Sequence, residues 1–529
     1  MQSPPTPYDL VPYWGHPYRE SHPDQLAAVS RLFGLASPPV DTCRVLELGC
    51  ASGANLIPIA VAVPGASFLG IDLSQTHIAE GRRTIEAIGL SNIELVHGSI
   101  DSIGDEHGQF DYIICHGVFS WVPRAIQDHI LRVCSRNLAA DGVAYVSYNT
   151  YPGWFMRGMV RRMMGFHARR FSEPATQLEQ ARALLDFLFQ ASSGVDATYH
   201  ALLNREINIL RQCNDSYIYH EHLEEINEPL FFHEFMERAE AAGLRYLAEP
   251  HLSEMVACDV PAEIADVLGK VGPNIVQFEQ YLDFLKNRTF RRTLLCHAAR
   301  IPDREVGPQR LREFRVASPL VRRGTGGKLD GDDEWEFGNG PEMFVKVGAA
   351  VHKAALTVLE QVWPASRTLV DLANRVKSFL DSDSSNAQRQ VAEPAALAEL
   401  ILPLYLKQLL EISIETPRFA TTLPADPTAA PRASPFARHQ AQQSMIVTNL
   451  RHQRVQLGAL DHEVLQLLDG TRNRESLVPL LDAALDSGRL TIQNASGPLS
   501  ASDRTPALIA EILEQSLISV ARQALLLLP

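Results

Sequence analysis

The chain has 529 residues, 46% of them hydrophobic and 21% charged, with a formal net charge of −14. Single cores rarely grow past about 250 residues, so several domains are expected, with ample apolar material to fill them. No run approaches the roughly 18 apolar residues of a membrane span, the acidic balance speaks against general nucleic-acid affinity, and seven scattered cysteines without paired spacing read as reduced thiols of a cytoplasmic protein, not as a zinc site.

Residues 8–18 are aromatic and Pro-rich and too irregular for a helix; Met1–Pro5 carries no basic region followed by an apolar core. This arm, with Tyr13, Trp14 and Tyr18, either lids a ligand or packs against a sheet. Ser21 is the expected N-cap of a helix that follows, with Leu26, Ala27, Val29, Leu32 and Phe33 on its repeating face.

Val45 to Leu48 reads as a short buried strand, followed by Gly49-Cys50-Ala51-Ser52-Gly53 and a helix over 54–62. Strand, Gly-x-x-x-Gly loop and helix suit the close approach of backbone to a ligand, with helix N–H groups aimed at it. The spacing is not Gly-x-Gly-x-x-Gly, and no Gly-Lys-Ser/Thr follows, so neither a nicotinamide dinucleotide nor a nucleoside triphosphate is favoured. Phe68 to Ser74 reads as a second apolar strand ending in Asp72, an acid placed to accept both hydroxyls of a ribose.

Glu47-Leu48-Gly49-Cys50-Ala51-Ser52-Gly53 together with Gly70-Ile71-Asp72-Leu73-Ser74 resembles the class I S-adenosylmethionine-dependent methyltransferases, with an altered spacing of the second glycine. The resemblance implies an α/β, Rossmann-like domain that holds S-adenosyl-L-methionine through Glu47, Gly49, Cys50, Gly53, Asn55, Asp72 and Leu73, with Tyr18 and His22 added from the N-terminal arm.

Residues 75–88 read as an amphipathic helix with Ile78, Ile85 and Ile88 inward, and Ile93 to Ile100 as the third strand. Many such enzymes place an acid at this strand end against the adenine. Here Ser99 stands at that position, so Ser99 Oγ, the Ile100 backbone and Asp101 are the alternatives. Phe110 to Cys115 is the fourth strand and runs into His116-Gly117-Val118-Phe119-Ser120-Trp121. His116, Gly117 and Trp121 are expected to line the methionine part of the cofactor; His116 is also a candidate base. Gly142 to Tyr148 is the fifth strand, and Asn149-Thr150-Tyr151-Pro152-Gly153-Trp154 follows it. Tyr148, Asn149 and Tyr151 are the expected catalytic residues, holding a substrate amine near the sulfonium. The run is not the Asn-Pro-Pro-Tyr of enzymes acting on nucleobases or glutamine, which lowers a nucleic-acid reading.

Residues 155–228 look almost wholly helical, with Met156, Met159, Val160, Met163 and Met164 on one side and Leu184, Leu185, Phe187 and Leu188 later. Arg157, Arg161, Arg162, Arg169 and Arg170 read as a solvated face. Phe231 to Leu247 reads as helix, glycine stop and strand, so residues 165–228 interrupt the core, either covering the active site or making a homodimer contact. His220-Glu221-His222 reads as a polar cluster and not a metal site, and 219–225 leans over the site mouth.

His220 to Phe232 and Tyr281 to Cys296 resemble the methyltransferase regulatory domain. With the motifs above and Ser147 to Trp154, the chain is similar to rickettsial-type protein lysine methyltransferases that modify outer-membrane surface proteins. That resemblance implies lysine N-methylation of surface or other bacterial proteins. The alternatives are a small-molecule N- or O-methyltransferase and a catalytically silent cofactor-binding scaffold.

Residues 303–345 form a charged, Gly-rich connector ending in a mobile loop or hairpin tip. Val358 to Ala373 is echoed by Val464 to Leu481, each followed by another apolar helix, which suggests two winged-helix-like α+β modules. Few basic residues stand on their recognition helices, so they are expected to dock protein or peptide. The expected division is a cofactor-binding core over 1–164 and 229–260, a helical insertion over 165–228 and a regulatory region with connector over 261–340. A module at 341–415, a Pro/Ala-rich linker at 416–440 and a second module at 441–529 complete it.

Overall fold

The computed structural model describes residues 15–256, 260–383, 392–494, 497–499, 502 and 504–528; Tyr13 and Trp14 lie outside them. Val45, Leu46 and Leu48 are wholly buried, as strands covered on both faces must be. They belong to β1 (Arg44–Leu48), an inner strand of a seven-stranded sheet. The other strands are β2 (Ser67–Asp72), β3 (Ile93–His97), β4 (Phe110–Cys115), β5 (Leu138–Asn149), β6 (Leu244–Ala248) and β7 (Phe290–His297). Their order is β3-β2-β1-β4-β5-β7-β6; the first five are parallel, and β7 runs antiparallel to both its neighbours.

Helices α1 (Pro23–Leu32), α2 (Leu56–Ala62), α3 (Gln75–Ile88) and α4 (Arg124–Arg136) connect and cover these strands. The N-cap of α1 is His22, not Ser21: its Nδ1 accepts the Asp24 N–H at 3.1 Å. Helix α3 starts on Ser74, whose hydroxyl accepts from His77, and stops at Gly89 in the left-handed region. Ile78 is buried on its inner face, with Ile85 and Ile88 packed against the core.

After β5 the chain leaves the sheet. Helices α5 (Trp154–Ala168), α6 (Pro174–Ser192) and α7 (Ala197–Arg211) pack on a small core of their own around Val160, Met164, Leu185, Leu203 and Ile207. Phe187, expected on the apolar side, is 62% exposed. The turn Tyr219–Leu223 is π-helical and leads back to α8 (Phe232–Ala241) and β6. Of the arginine cluster, Arg162, Arg169 and Arg170 are exposed, whereas Arg161 turns inward and donates to the Glu224 carbonyl.

Helices α9 (Ala262–Val271) and α10 (Ile275–Lys286) precede β7, a strand the sequence pattern does not announce. Arg291 and Arg292 break its apolar run. Arg291 is nonetheless fully buried, with Glu249, Glu279 and Asp283 at 2.7, 3.0 and 2.8 Å.

The connector forms an antiparallel sheet in which Val321–Arg323 and Phe344–Val347 flank Trp335–Gly338. Next, α11 (Ala350–Val362), α12 (Leu369–Asp383) and α13 (Pro394–Leu406) pack beside a three-stranded sheet formed by Arg315–Ala317, Arg367–Thr368 and Glu411–Ser413. This module shares one continuous apolar core with the seven-stranded sheet. The last module has a separate core and contains α14 (Pro435–Gln440), α15 (Ala459–Leu467), α16 (Arg474–Asp486), α17 (Pro506–Arg522) and the hairpin Ile446–Thr448/Arg454–Gln456. The Pro/Ala-rich stretch packs into it: Phe419–Ala420 pairs with Leu526–Leu527, and Ala433 and Ala437 are buried there. Among the described residues no helix is long and apolar enough to cross a membrane.

Candidate active site

The ends of β1, β2, β3 and β4 open into one cavity of about 390 Å³, at the carboxyl edge where ligands of such sheets sit. Its floor is the turn after β1. Gly49 has φ +76°, and a Cβ there would lie 2.3 Å from Val118 Cγ2, so only glycine lets the turn pack against the loop after β4. Gly53, also at φ +76°, closes the turn, and its N–H donates to the Cys50 carbonyl at 2.8 Å. A Cβ there would meet Ile57 and Leu95, so Gly53 shapes the loop from behind and does not border the cavity.

Asp72 ties the two turns together. One of its carboxylate oxygens accepts the Ala51 N–H and the other the Ser74 N–H, both at 2.8 Å. Leu73, Ser99 and Ile100 border the same space, whereas Asp101 is exposed and lies off it.

Glu47 is buried at the inner end. Its Oε1 accepts Asn55 Nδ2 at 2.8 Å, and its Oε2 has no hydrogen-bond partner among the described residues. Burial pushes its carboxyl up to about 8, against the pull of the Asn55 hydrogen bond. Asn55 is itself a junction: its Oδ1 accepts the Tyr18 N–H at 2.9 Å and His452 Nε2 at 2.8 Å. With a carbonyl oxygen as partner, the His452 imidazole carries its proton on Nε2.

Tyr18 stacks on His116 with ring centroids 3.5 Å apart, so the described end of the arm forms a cavity wall. His116 Nδ1 lies 2.8 Å from the Tyr145 hydroxyl, and burial lowers its pKa to about 4. Such an imidazole is neutral at physiological pH and too weak a base to hold a proton from an ammonium, which leaves it a lining role. Gly117 and Trp121 line the cavity with it.

Besides Gly53, four expected site residues lie off the cavity. His22 caps α1 and faces His452, with ring centroids 5.6 Å apart. Tyr148 points to the opposite side of β5 from Ser147, whose Oγ accepts the Gly117 N–H. Tyr148 instead stacks on Phe235 at 4.1 Å and meets Thr293 Oγ1 at 3.1 Å in the core. Asn149 Nδ2 donates to Asn227 Oδ1 at 3.1 Å, and Tyr151 stacks on Phe155 at 4.2 Å. Leu230 bridges to the same run, its carbonyl accepting the Thr150 hydroxyl and the Tyr151 N–H. Residues 149–151 therefore anchor the returning end of the helical excursion; they do not border the cavity.

In their place the cavity takes His16, His77, Phe290, His220 and Glu221. His77 Nε2 is buried without a hydrogen-bond partner among the described residues. His220 and Glu221 come from the π-helical turn and form a second wall facing the glycine turn.

Family models match a methyltransferase domain over residues 45–142, a predicted methyltransferase regulatory domain over 214–297 and the C-terminal winged helix domain of PKMT over 430–525. The solved structure of PKMT2 from Rickettsia typhi superposes with a TM-score of 0.86 at 31% identity, over 97% of this chain and 100% of that one. The chain belongs to the PKMT family of class I, S-adenosylmethionine-dependent methyltransferases. The RP789 protein of Rickettsia prowazekii is 34% identical to this PKMT-family chain over 493 residues, 92% of this chain and 87% of its own. PKMT2 is also solved in complex with AdoHcy, and that structure superposes with a TM-score of 0.85 at 31% identity, over 97% of this chain and 100% of that one.

The residues present fit the cofactor this PKMT-family enzyme uses. The backbone of Gly49 and Cys50 borders the cavity beside the Asp72 carboxylate, and the buried Glu47 carboxyl, with one oxygen unpartnered among the described residues, borders it too, suited to a cation.

Proposed function

We propose that the chain is a protein lysine N-methyltransferase whose targets are surface or other bacterial proteins. One observation carries the reading: the likeness to PKMT2 runs through the C-terminal modules and does not stop at the catalytic core. A small-molecule acceptor needs no surface beyond the cavity, whereas a polypeptide acceptor does.

In this reading Asp72 receives the ribose hydroxyls, Ser99 and the Ile100 backbone the adenine edge, and Leu73 its face. The backbone of Gly49 and Cys50 borders the chain that joins ribose to methionine. Glu47, oriented by Asn55, faces the α-ammonium, and Tyr18, His116, Gly117 and Trp121 line the methionine arm. Bound S-adenosylmethionine supplies a methyl group on a positively charged sulfur. The protein then has to exclude water and bring an uncharged amine in line with that methyl. The Tyr18, Trp121 and Phe290 rings give the cavity aromatic walls suited to an incoming alkylammonium.

The test is methyl transfer from tritium-labelled S-adenosylmethionine into heat-treated bacterial lysate protein, followed by peptide mass spectrometry. Label is expected on lysine Nζ of precipitated protein. Label recovered only in the small-molecule filtrate would overturn the reading.

A further inference from the structure

The second wall of the cavity has chemistry of its own. Residues 219–223 form a π-helical turn in which the Glu224 N–H donates to the Tyr219 carbonyl at 3.2 Å. Single π turns inside helical stretches occur frequently at functional sites. This one is braced from behind. His220 Nδ1 lies 3.1 Å from Glu224 Oε1, Arg161 donates to the Glu224 carbonyl, and the Arg161 guanidinium sits 6.0 Å from the Trp121 ring centre. Glu221, between two buried histidines, lines the same cavity as Glu47, His116 and Trp121. No hydrogen bond or ion pair to its carboxylate is found among the described residues.

We infer that Glu221 is the catalytic residue that receives the ammonium group of the incoming lysine and takes its proton. The inference rests on the lysine reading above. A lysine ammonium cannot attack, because its lone pair is tied up in an N–H bond. Transfer of one proton from Nζ to the Glu221 carboxylate frees that pair. The pair forms the new N–C bond as the C–S bond gives its electrons to sulfur, which loses its charge. Nζ ends as a methylammonium, and the proton on Glu221 leaves to solvent.

Two other acid–base groups of the cavity, Glu47 and His116, are less suited. Glu47 is bonded to Asn55 at the inner end, and burial holds His116 at about 4. Burial pushes the Glu221 carboxyl up to about 7, with Arg157 and Arg161 of α5 pulling it down. Other titratable groups around it are His220, His222 and Glu224 on its own stretch, Cys213, and Glu206 of α7, which faces Arg157 at 3.7 Å; His16, His77 and Asp72 line the same cavity. A carboxyl of that strength passes between base and acid near neutrality, as general base catalysis requires.

Glu221→Gln and Glu221→Asp, in the full chain, test this with three readouts: methyl transfer to heat-treated lysate protein from about pH 6 to about pH 9, calorimetric affinity for S-adenosylhomocysteine, and lysine mapping. The Gln variant is expected to lose roughly 10²- to 10⁴-fold in kcat and to lose the rise of kcat/KM through about pH 7. Its affinity for S-adenosylhomocysteine should stay within about twofold, and the Asp variant should recover part of the rate together with the pH dependence. A Gln variant within about threefold of the wild-type rate would sink the inference, and so would a parallel loss of S-adenosylhomocysteine binding. If the wild type itself labels no lysine, the lysine reading falls and takes this inference with it; an active wild type beside an equally active Gln variant removes the inference alone.

Discussion

Glu47 Oε1 holds Asn55, while Oε2 is buried with no partner among the described residues, so ionising this carboxyl in the free protein is costly. Its folded pKa is raised to about 8 from an ordinary carboxyl value, which means that folding favours the protonated form. Its contribution to stability is whole at acid pH and is lost as pH rises through about 8. Replacing it by Gln keeps the acceptor for Asn55 and removes the charge. We expect Glu47→Gln to melt higher than wild type at about pH 8, by on the order of 1–3 kcal/mol, with the difference vanishing towards about pH 5. The same variant should bind S-adenosylhomocysteine at least about tenfold more weakly by calorimetry, because it lacks the carboxylate proposed above to face the α-ammonium. A variant that melts no higher at about pH 8 would refute the electrostatic account. The residues of this wall were readable from sequence because each stands directly after an apolar strand: Gly49 and Cys50 after β1, Leu73 after β2, Ser99 and Ile100 after β3, His116 and Gly117 after β4. Phe290 was not, since it arrives from a distant segment with no local signal; residues 219–225 were expected over the site mouth, and the fold puts His220 and Glu221 of that segment in the wall. Tyr148 was misplaced because strand parity, invisible without the sheet's neighbours, turns it away from the side that Ser147 takes.

Within the seven-stranded sheet, β7 is the strand the sequence concealed. A strand carrying Arg-Arg-Thr does not read as buried, yet Arg291 is fully buried because α10 and the segment after β6 bring three carboxylates to its guanidinium, which also lies over the Phe232 ring at 3.8 Å. The cluster stitches β6, β7 and α10 into one unit. Burial holds Glu279 up at about 7 and raises Asp283 as well, so the set already sits near its limit of negative charge. Arg291→Met leaves those acids without their cation and is expected to cost about 3–5 kcal/mol in urea unfolding at neutral pH. The deficit should shrink at about pH 5, where Glu279, held up at about 7, is protonated. An equal deficit at both pH values would mean that lost packing, not unpaired charge, destabilises the variant. The run Asn149–Tyr151 teaches the complementary lesson. Its polar and aromatic composition looked like a substrate rim, and in the fold those groups clamp residues 227–230, where the helical excursion rejoins the core.

At the scale of the whole molecule, the cavity is a meeting point for segments hundreds of residues apart. Tyr18 from the arm and His452 from the last module both bond Asn55 Oδ1, and Asn55 orients Glu47. Beside them, Glu411 pairs with Arg19 at 2.6 Å and with Arg451, joining the arm, the middle module and the winged helix. The parallel sheet and its cofactor turns were legible as local strand–turn–helix patterns; this convergence was not, because it is made of single residues with no period. Asp72 and the two turns it joins carry the cofactor site. Calorimetric titration of S-adenosylhomocysteine into the full chain tests it most directly. One saturable site is predicted, weakened at least about tenfold by Asp72→Ala and changed by less than about twofold by Tyr148→Phe. Absence of binding, or equal binding by wild type and Asp72→Ala, would contradict it.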